Sequence, residues 1–152
     1  MSLRTQEDIA AASLRYLVSQ RRRLGLWLSG PSTRNTSTAQ SLSERLGLRY
    51  IDLLGELATK LTDDPMKPIG VFAPDDLIEW IQQQSYIPNS PPIIIDEIEP
   101  VLATFTKLRV VGFFRFAARL DPRVPVVLIS HLDDLVSAAA FPHDRIWRLE
   151  VK

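Results

Sequence analysis

The chain has 152 residues, of which 45% are hydrophobic and none is cysteine, and its 18 basic residues balance its 18 acidic ones. This length and composition predict one domain, spanning residues 1–152, with a hydrophobic core of its own. The lack of cysteine excludes disulfides and thiolate metal sites. No stretch is apolar enough to span a bilayer, and the N-terminus lacks a signal-peptide pattern, so we expect a cytoplasmic protein that contacts no membrane.

The charges alternate along the chain in three blocks. Residues 1–50 carry eight arginines against three acidic residues, residues 51–99 carry ten carboxylates against two lysines, and residues 100–152 carry eight basic against five acidic residues. Blocks of opposite sign are compatible with head-to-tail self-association, in which a basic face meets an acidic one. Solvated helix faces explain the same pattern.

Hydrophobic periodicity in the first half predicts two helices and two strands. The first helix is expected over 7–23, with Arg21, Arg22 and Arg23 in its last turn, where cations complement the helix dipole. A continuous apolar run predicts a buried strand over 24–29. A helix over 37–46, a strand over 48–54 and a helical turn over 57–61 should follow.

The second half continues the alternation. Pro74 is well placed to begin a helix. Strands are expected over 93–95, 124–130 and 146–151, and helices over 101–120 and 132–141. Strands separated by helices predict an α/β fold: a three-layer αβα sandwich with a five-stranded, mainly parallel sheet, on which the N-terminal helix within residues 1–23 packs.

The segment after the first predicted strand has the features of a phosphate-binding loop. Gly30 allows backbone N–H groups at a helix start to approach an anion closely. Asn35 stands where the motif G-x-x-x-x-G-K-[ST] has its second glycine, and asparagine tolerates positive φ. Ser37, beside Thr38, occupies the position of the magnesium-binding hydroxyl. The candidate nucleotide-binding residues are Gly30, Pro31, Ser32, Thr33, Arg34, Asn35, Thr36, Ser37 and Thr38.

Thr36 departs from this motif, which has a lysine at that position. A charge-assisted hydrogen bond contributes roughly 1.5 to 3 kcal/mol, so its loss should weaken triphosphate binding by about tenfold or more. The transition state of hydrolysis loses stabilisation as well. We therefore expect weak or no ATP hydrolysis, with Arg34 as the only cation of the loop.

Polar residues also end two later strands. Asp96 is a candidate to hold magnesium through water, as a second metal-binding residue beside Ser37, and Glu97 is a candidate catalytic residue that orients the attacking water. Ser130 is a candidate to contact the terminal phosphate or that water, and an ordinary capping role explains it equally well. Ligands of parallel sheets bind beyond the carboxyl ends of the strands. We therefore expect four residues at one end of the sheet: Gly30, Asp96, Glu97 and Ser130.

Isolated basic residues give two further sets of candidates, each of which is also explained by simple solvation. The first set could place a positive charge in the nucleotide site of a neighbouring subunit, and it consists of Arg119, Arg123 and Arg145. Salt-dependent contact with DNA phosphates is the role of the second set. Its candidates are Arg21, Arg22, Arg23, Lys107 and Arg115.

In their order, segments 30–37, 93–97 and 126–130 resemble a P-loop NTPase of the AAA+ and RecA-like class with a degenerate Walker A loop and an acidic Walker B strand. In that class an extra strand lies between the phosphate-loop strand and the acidic strand. Segment 141–146 is similar to the approach to the last strand of AAA+ cores. The resemblance implies a AAA+-like core without a lid, ATP and magnesium as cofactors, and a homo-oligomer.

A narrower resemblance rests on the small size and on the turn at 96–99 leading into 101–102. These are similar to the small P-loop protein of bacteriophage-exclusion (BREX) defence systems. That resemblance implies a component of an antiviral assembly whose partners are other defence proteins and duplex DNA.

Three functions are open at this point. The first is a self-associating nucleotide-binding protein that hydrolyses slowly or not at all. The second is an active Mg-ATPase that uses Arg34, or an arginine of a neighbour such as Arg119 or Arg123, as its cation. The third is a protein–protein scaffold that binds no nucleotide.

Overall fold

A computed structural model describes residues 3–29, 34–57 and 74–149 as an α/β fold. The strands are β1 (Leu24–Leu28), β2 (Arg49–Asp52), β3 (Ile93–Asp96), β4 (Val126–Ser130) and β5 (Ile146–Arg148). The helices are α1 (Leu3–Val18), α2 (Arg34–Leu46), α3 (Pro74–Gln84), α4 (Glu99–Leu102), α5 (Lys107–Ala117) and α6 (Asp133–Ala138). Residues 53–57 are also helical, and a 3₁₀ turn (His143–Arg145) precedes β5.

The five strands form one sheet in the order β2-β3-β4-β1-β5, and every neighbouring pair is parallel. Leu28 lies opposite Ser130, and Asp52 lies opposite Asp96. The strands therefore all end at one end of the sheet, called here the carboxyl end, and begin at the other, the amino end. The predicted α/β fold with a five-stranded parallel sheet is confirmed.

Helices cover both faces of the sheet, which is why β1, β3 and β4 are buried along their whole length. On one face, α1 and α2 place Leu17 and Leu42 in a core with Trp27. On the other face, α3 and α5 contribute Ile81 and Phe113 to a larger core, which α6 joins. None of the helices in the described ranges is long and apolar enough to cross a membrane.

The first helix ends five residues earlier than predicted. The N–H groups of Ser19 and Gln20 donate to the carbonyls of Tyr16 and Leu17, at 3.1 and 3.0 Å, and these tighter bonds end α1. Residues 21–23 therefore lie in the turn before β1, and their predicted place in the last turn of the helix is wrong.

The single long helix predicted over 101–120 is also wrong, because the chain forms α4 and α5 with a break between them. The Thr104 hydroxyl donates to the Val101 carbonyl at 2.7 Å, which competes with continued helical bonding. The Thr106 hydroxyl then caps α5 by accepting from the Arg109 N–H at 3.3 Å.

Candidate functional site

The chain leaves β1 and β4 over opposite faces of the sheet. After β1 it passes through α2, which packs in the core shared with Trp27, to reach β2. After β4 it passes through α6, whose Val136 packs in the core of the other face, to reach β5. Because β1 and β4 are neighbours, a crevice is expected between their carboxyl ends, and this is where parallel α/β sheets bind ligands.

Two serines lie at this crevice. The Ser29 N–H donates to the Ser130 carbonyl at 2.9 Å, which extends the pairing of β1 and β4. Ser130 is fully buried, and its hydroxyl accepts from the Leu132 N–H at 3.1 Å, as a strand-end cap does. The Oγ of Ser29 is buried and has no hydrogen-bond partner in the described part of the chain.

Asp96 ends the neighbouring strand β3 and is only 3% exposed. Its Oδ2 accepts from the Tyr50 hydroxyl at 2.8 Å, and its Oδ1 accepts from the Glu97 N–H at 2.8 Å. Burial, and then the bond to Asp96, raise the pKa of Tyr50 above its ordinary value. Tyr50 therefore stays a proton donor to Asp96 and fixes the carboxylate in one orientation.

Glu97 follows with a backbone φ of 58°, in the left-handed region that residues with a Cβ rarely adopt. This conformation turns the chain sharply at the carboxyl end of β3 and costs roughly 1 to 2 kcal/mol. Strained backbones of this kind are found at functional sites more often than elsewhere. The strain therefore marks the predicted catalytic position as one to test.

Much of the predicted phosphate loop lies outside the described residues. This holds for Gly30, Pro31, Ser32 and Thr33, and for the side chains of Arg34, Asn35, Thr36 and Ser37. The backbone of 34–37 forms the first turn of α2, which begins three residues before its predicted start. The expectation that Asn35 supplies positive φ is wrong, since its backbone is helical. Thr38 is partly buried in the same helix.

Two further acidic residues, neither of them among the predicted site residues, lie at the carboxyl end. Asp52 ends β2 next to Asp96, and its Oδ1 accepts from the Gly55 N–H at 3.0 Å. Glu99 begins α4, and its Oε1 accepts from the His131 N–H at 3.1 Å and lies 3.3 Å from His131 Nδ1. No strand-end signal marks Asp52 in the sequence, since Leu53 and Leu54 extend the predicted strand past it. Within the described ranges, no group of three or more acidic or histidine side chains is arranged to hold a metal ion.

A pocket of about 470 Å³ adjoins the end of β1 on the side of β5. Leu28, His143 and Arg148 are among the residues that line it. Its volume lies in the range typical of small-molecule sites. The pocket therefore runs along the edge strand β5 toward the 3₁₀ turn before it, and only its Leu28 and Arg148 side borders the carboxyl end.

The three candidate arginines for a neighbouring subunit all lie toward the amino end. Arg119 follows α5, Arg123 precedes β4, and both are exposed. Arg145 is only 6% exposed, and its guanidinium donates to the carbonyls of Arg22, Leu24 and Ala118 at 3.3, 3.1 and 2.7 Å. These bonds commit Arg145 to its own subunit, which corrects the expectation that it could serve another.

The candidate DNA contacts do not form one surface. Residues 21–23 lie at the amino end, in the turn before β1. Lys107 begins α5, which the chain enters from the carboxyl end of β3, and Arg115 lies about 12 Å farther along that helix. Lys107 therefore lies at the opposite end of the sheet from residues 21–23, while Arg115 lies closer to them.

No protein-family model matches this sequence, and no curated protein sequence matches it either.

Proposed function

We propose that the protein binds a nucleotide at the crevice between the carboxyl ends of β1 and β4, and hydrolyses it slowly or not at all. The observation that carries this proposal is the opposite direction of the two connections, over α2 and over α6. The position of β4 between β1 and β3 adds support, because the resemblance to AAA+ and RecA-like proteins implies that order.

The serines at the crevice give the ligand polar partners. Ser29 Oγ has no partner among the described residues, and a ligand oxygen beside it would accept its hydrogen bond. A buried hydroxyl left without a partner costs roughly 1 to 3 kcal/mol. Ser130 Oγ accepts one hydrogen bond from the backbone and can still donate its own proton. Two hydroxyls at the ends of adjacent strands suit an oxygen-rich group such as a phosphate.

Asp96 fits magnesium only through water. Both of its oxygens already accept a hydrogen bond, from Tyr50 and from the Glu97 N–H, and each keeps one further acceptor position. When bound, magnesium would neutralise phosphate charge beside Asp96, Glu97 and Glu99. Without it these carboxylates repel a polyphosphate, so we expect binding to require the metal.

Slow hydrolysis follows from Thr36, because the threonine cannot supply the positive charge that a lysine gives to the transferred phosphate. Self-association, and partners of the BREX type, stay predictions from the resemblance. Two other functions are tested against this proposal: an active ATPase, and a scaffold that binds no nucleotide.

Calorimetry with ATP, with and without magnesium, tests the binding proposal. Thr36→Lys should tighten Mg-ATP binding by about tenfold or more, because it restores a charge-assisted bond. Gln40→Lys is the matched control, since it adds the same charge at an exposed position of the same helix and should change affinity little. No heat at millimolar Mg-ATP, in the parent or in Thr36→Lys, would leave only the scaffold.

Phosphate release measured for Glu97→Gln tests the second part of the proposal. We expect the same low background rate in the variant and in the parent, because neither hydrolyses efficiently. A clear fall in the variant would assign an active ATPase with Glu97 as its catalytic residue.

A further inference from the structure

Five arginines gather at the amino end of the sheet, opposite the proposed nucleotide site. They come from three separate segments: the turn before β1, the end of α5 and the approach to β4. All are exposed except Arg23, which is partly buried. This arginine surface consists of Arg21, Arg22, Arg23, Arg119 and Arg123.

Hydrogen bonds hold these segments together. The buried Arg145 guanidinium joins the Arg22 carbonyl to the Ala118 carbonyl, next to Arg119. One Nη of Arg23 donates to the Arg123 carbonyl at 2.8 Å. The spacing of the arginines is therefore set by the fold rather than by flexible loops.

Few negative charges offset this surface. Asp121 is exposed beside it, and Asp144 is exposed but accepts a hydrogen bond from the Tyr16 hydroxyl at 2.5 Å. Within the described ranges, two carboxylates against five arginines leave a net positive field at the amino end, although the whole chain is neutral. Such a field attracts a polyanion.

An aromatic ring lies within the arginine surface. The Arg123 guanidinium carbon stands 5.1 Å from the ring centroid of Tyr86, and the Arg123 N–H donates to Ser85 Oγ at 3.2 Å. Tyr86 also borders two concave regions. One, of about 350 Å³, is lined by Arg23, Arg123 and Asp121, and the other, of about 510 Å³, includes Phe116.

Tyr86 and Phe116 are 42% and 46% exposed, a large fraction for aromatic side chains in a folded protein. Glu79 and Asp75 line the part of the larger region that is farther from the arginines. Their negative charges repel phosphates, so phosphates are favoured only on the side of the arginines. The combination of cations with accessible rings is the one by which proteins hold unpaired bases and their phosphates.

We propose that this surface binds single-stranded nucleic acid, with phosphates on the arginines and a base stacked beside Tyr86 and Phe116. Duplex DNA buries its bases against each other and offers no ring to these side chains. An acidic peptide without aromatic residues offers charge but no stacking partner. The single strand is therefore the polyanion that uses both features of the surface.

Fluorescence anisotropy with a labelled oligothymidine of about 20 nucleotides, and with a duplex of that length, tests the proposal. The parent should bind the single strand more tightly than the duplex. Arg22→Gln/Arg119→Gln should weaken binding by roughly tenfold and make the salt dependence shallower by about 1.4 in log–log slope, for two lost phosphate contacts. Tyr86→Leu should weaken single-strand binding by about fivefold or more.

The control is Arg4→Gln/Arg109→Gln, which removes the same charge at exposed positions near the starts of α1 and α5 and should leave binding unchanged. Equal losses in the two double variants would overturn the proposal, because binding would then follow net charge alone. Equal affinity for duplex, or tighter binding of a glutamate-rich peptide, would overturn the single-strand assignment. Mg-ATP binding should not change in Arg22→Gln/Arg119→Gln or in Tyr86→Leu, because these residues lie at the opposite end of the sheet. Failure of the single-strand proposal therefore leaves the nucleotide proposal untouched, and the reverse also holds.

Discussion

Removing the buried guanidinium of Arg145 should destabilise the fold strongly. In Arg145→Met, the carbonyls of Arg22, Leu24 and Ala118 lose their donor, and the Leu24 bond is buried. A net contribution of roughly 1.5 to 3 kcal/mol per charge-assisted bond is the starting point. Methionine costs less to bury than a guanidinium, which offsets part of the lost hydrogen-bond energy. We therefore expect the free energy of unfolding to fall by about 3 kcal/mol.

The arrangement also explains why the Arg145 cation is tolerated at this depth, although no carboxylate in the described part of the chain is hydrogen-bonded to it. Ala118 is the C-cap residue of α5, so the guanidinium lies at the negative end of that helix dipole. Burial lowers the pKa of Arg145, but arginine keeps its charge in proteins. Asp144 adds a favourable charge nearby.

Urea unfolding followed by tryptophan fluorescence measures this effect. A loss of about 3 kcal/mol corresponds to a fall in melting temperature of roughly 6 to 12 °C for a chain of this size. Arg123→Met is the matched control, because its guanidinium is exposed and covers one face of Tyr86, and it should cost less than about 1 kcal/mol. A loss for Arg145→Met no larger than that of the control would refute the reasoning.

Two other predictions concern pH and packing. The raised pKa of Tyr50 means that the folded state holds this proton more tightly than the unfolded chain, so stability should fall as the pH rises above the ordinary value of 10.0. Tyr50→Phe should flatten that fall in urea midpoints measured between about pH 8 and 11, and equal slopes in both proteins would contradict this. Gly25→Ala should cost roughly 1 to 3 kcal/mol, because its Cβ would lie 2.7 Å from Trp147 Cζ3. Gly112→Ala, with open space around its Cβ in α5, should gain about 0.5 to 1 kcal/mol, so thermal shifts of the same sign would contradict the packing argument.

The sequence predicted the sheet well because its strands are short apolar runs that end abruptly. Asp96 and Ser130 follow such runs, and both lie at the carboxyl end as expected. Asp52 was not found in this way, because Leu53 and Leu54 continue the apolar pattern and place it inside the predicted strand. Helix ends were predicted less well, because they depend on single hydroxyls such as that of Thr104.

The contacts that hold the two ends of the sheet could not be predicted from periodicity. Tyr50 meets Asp96 across 46 residues, and Arg145 meets the Leu24 carbonyl across 121. A tyrosine in a strand and an arginine before one are ordinary surface residues by local pattern. The pairing of β2 with β3 brings the Tyr50 hydroxyl to Asp96, and the pairing of β1 with β5 brings the Arg145 guanidinium to the Leu24 carbonyl. These hydrogen bonds offset the cost of burying the polar groups.

The pairing of the first strand with the last has a consequence for synthesis on the ribosome. β1 pairs with β4 on one side and with β5 on the other, and Gln6 Nε2 reaches the Leu149 carbonyl at 3.2 Å. Leu24–Leu28 has no strand partner until β4 emerges, and one of its edges stays open as an apolar template for other nascent chains until β5 emerges. Chaperone dependence of this protein should therefore be concentrated in the interval before translation reaches β5.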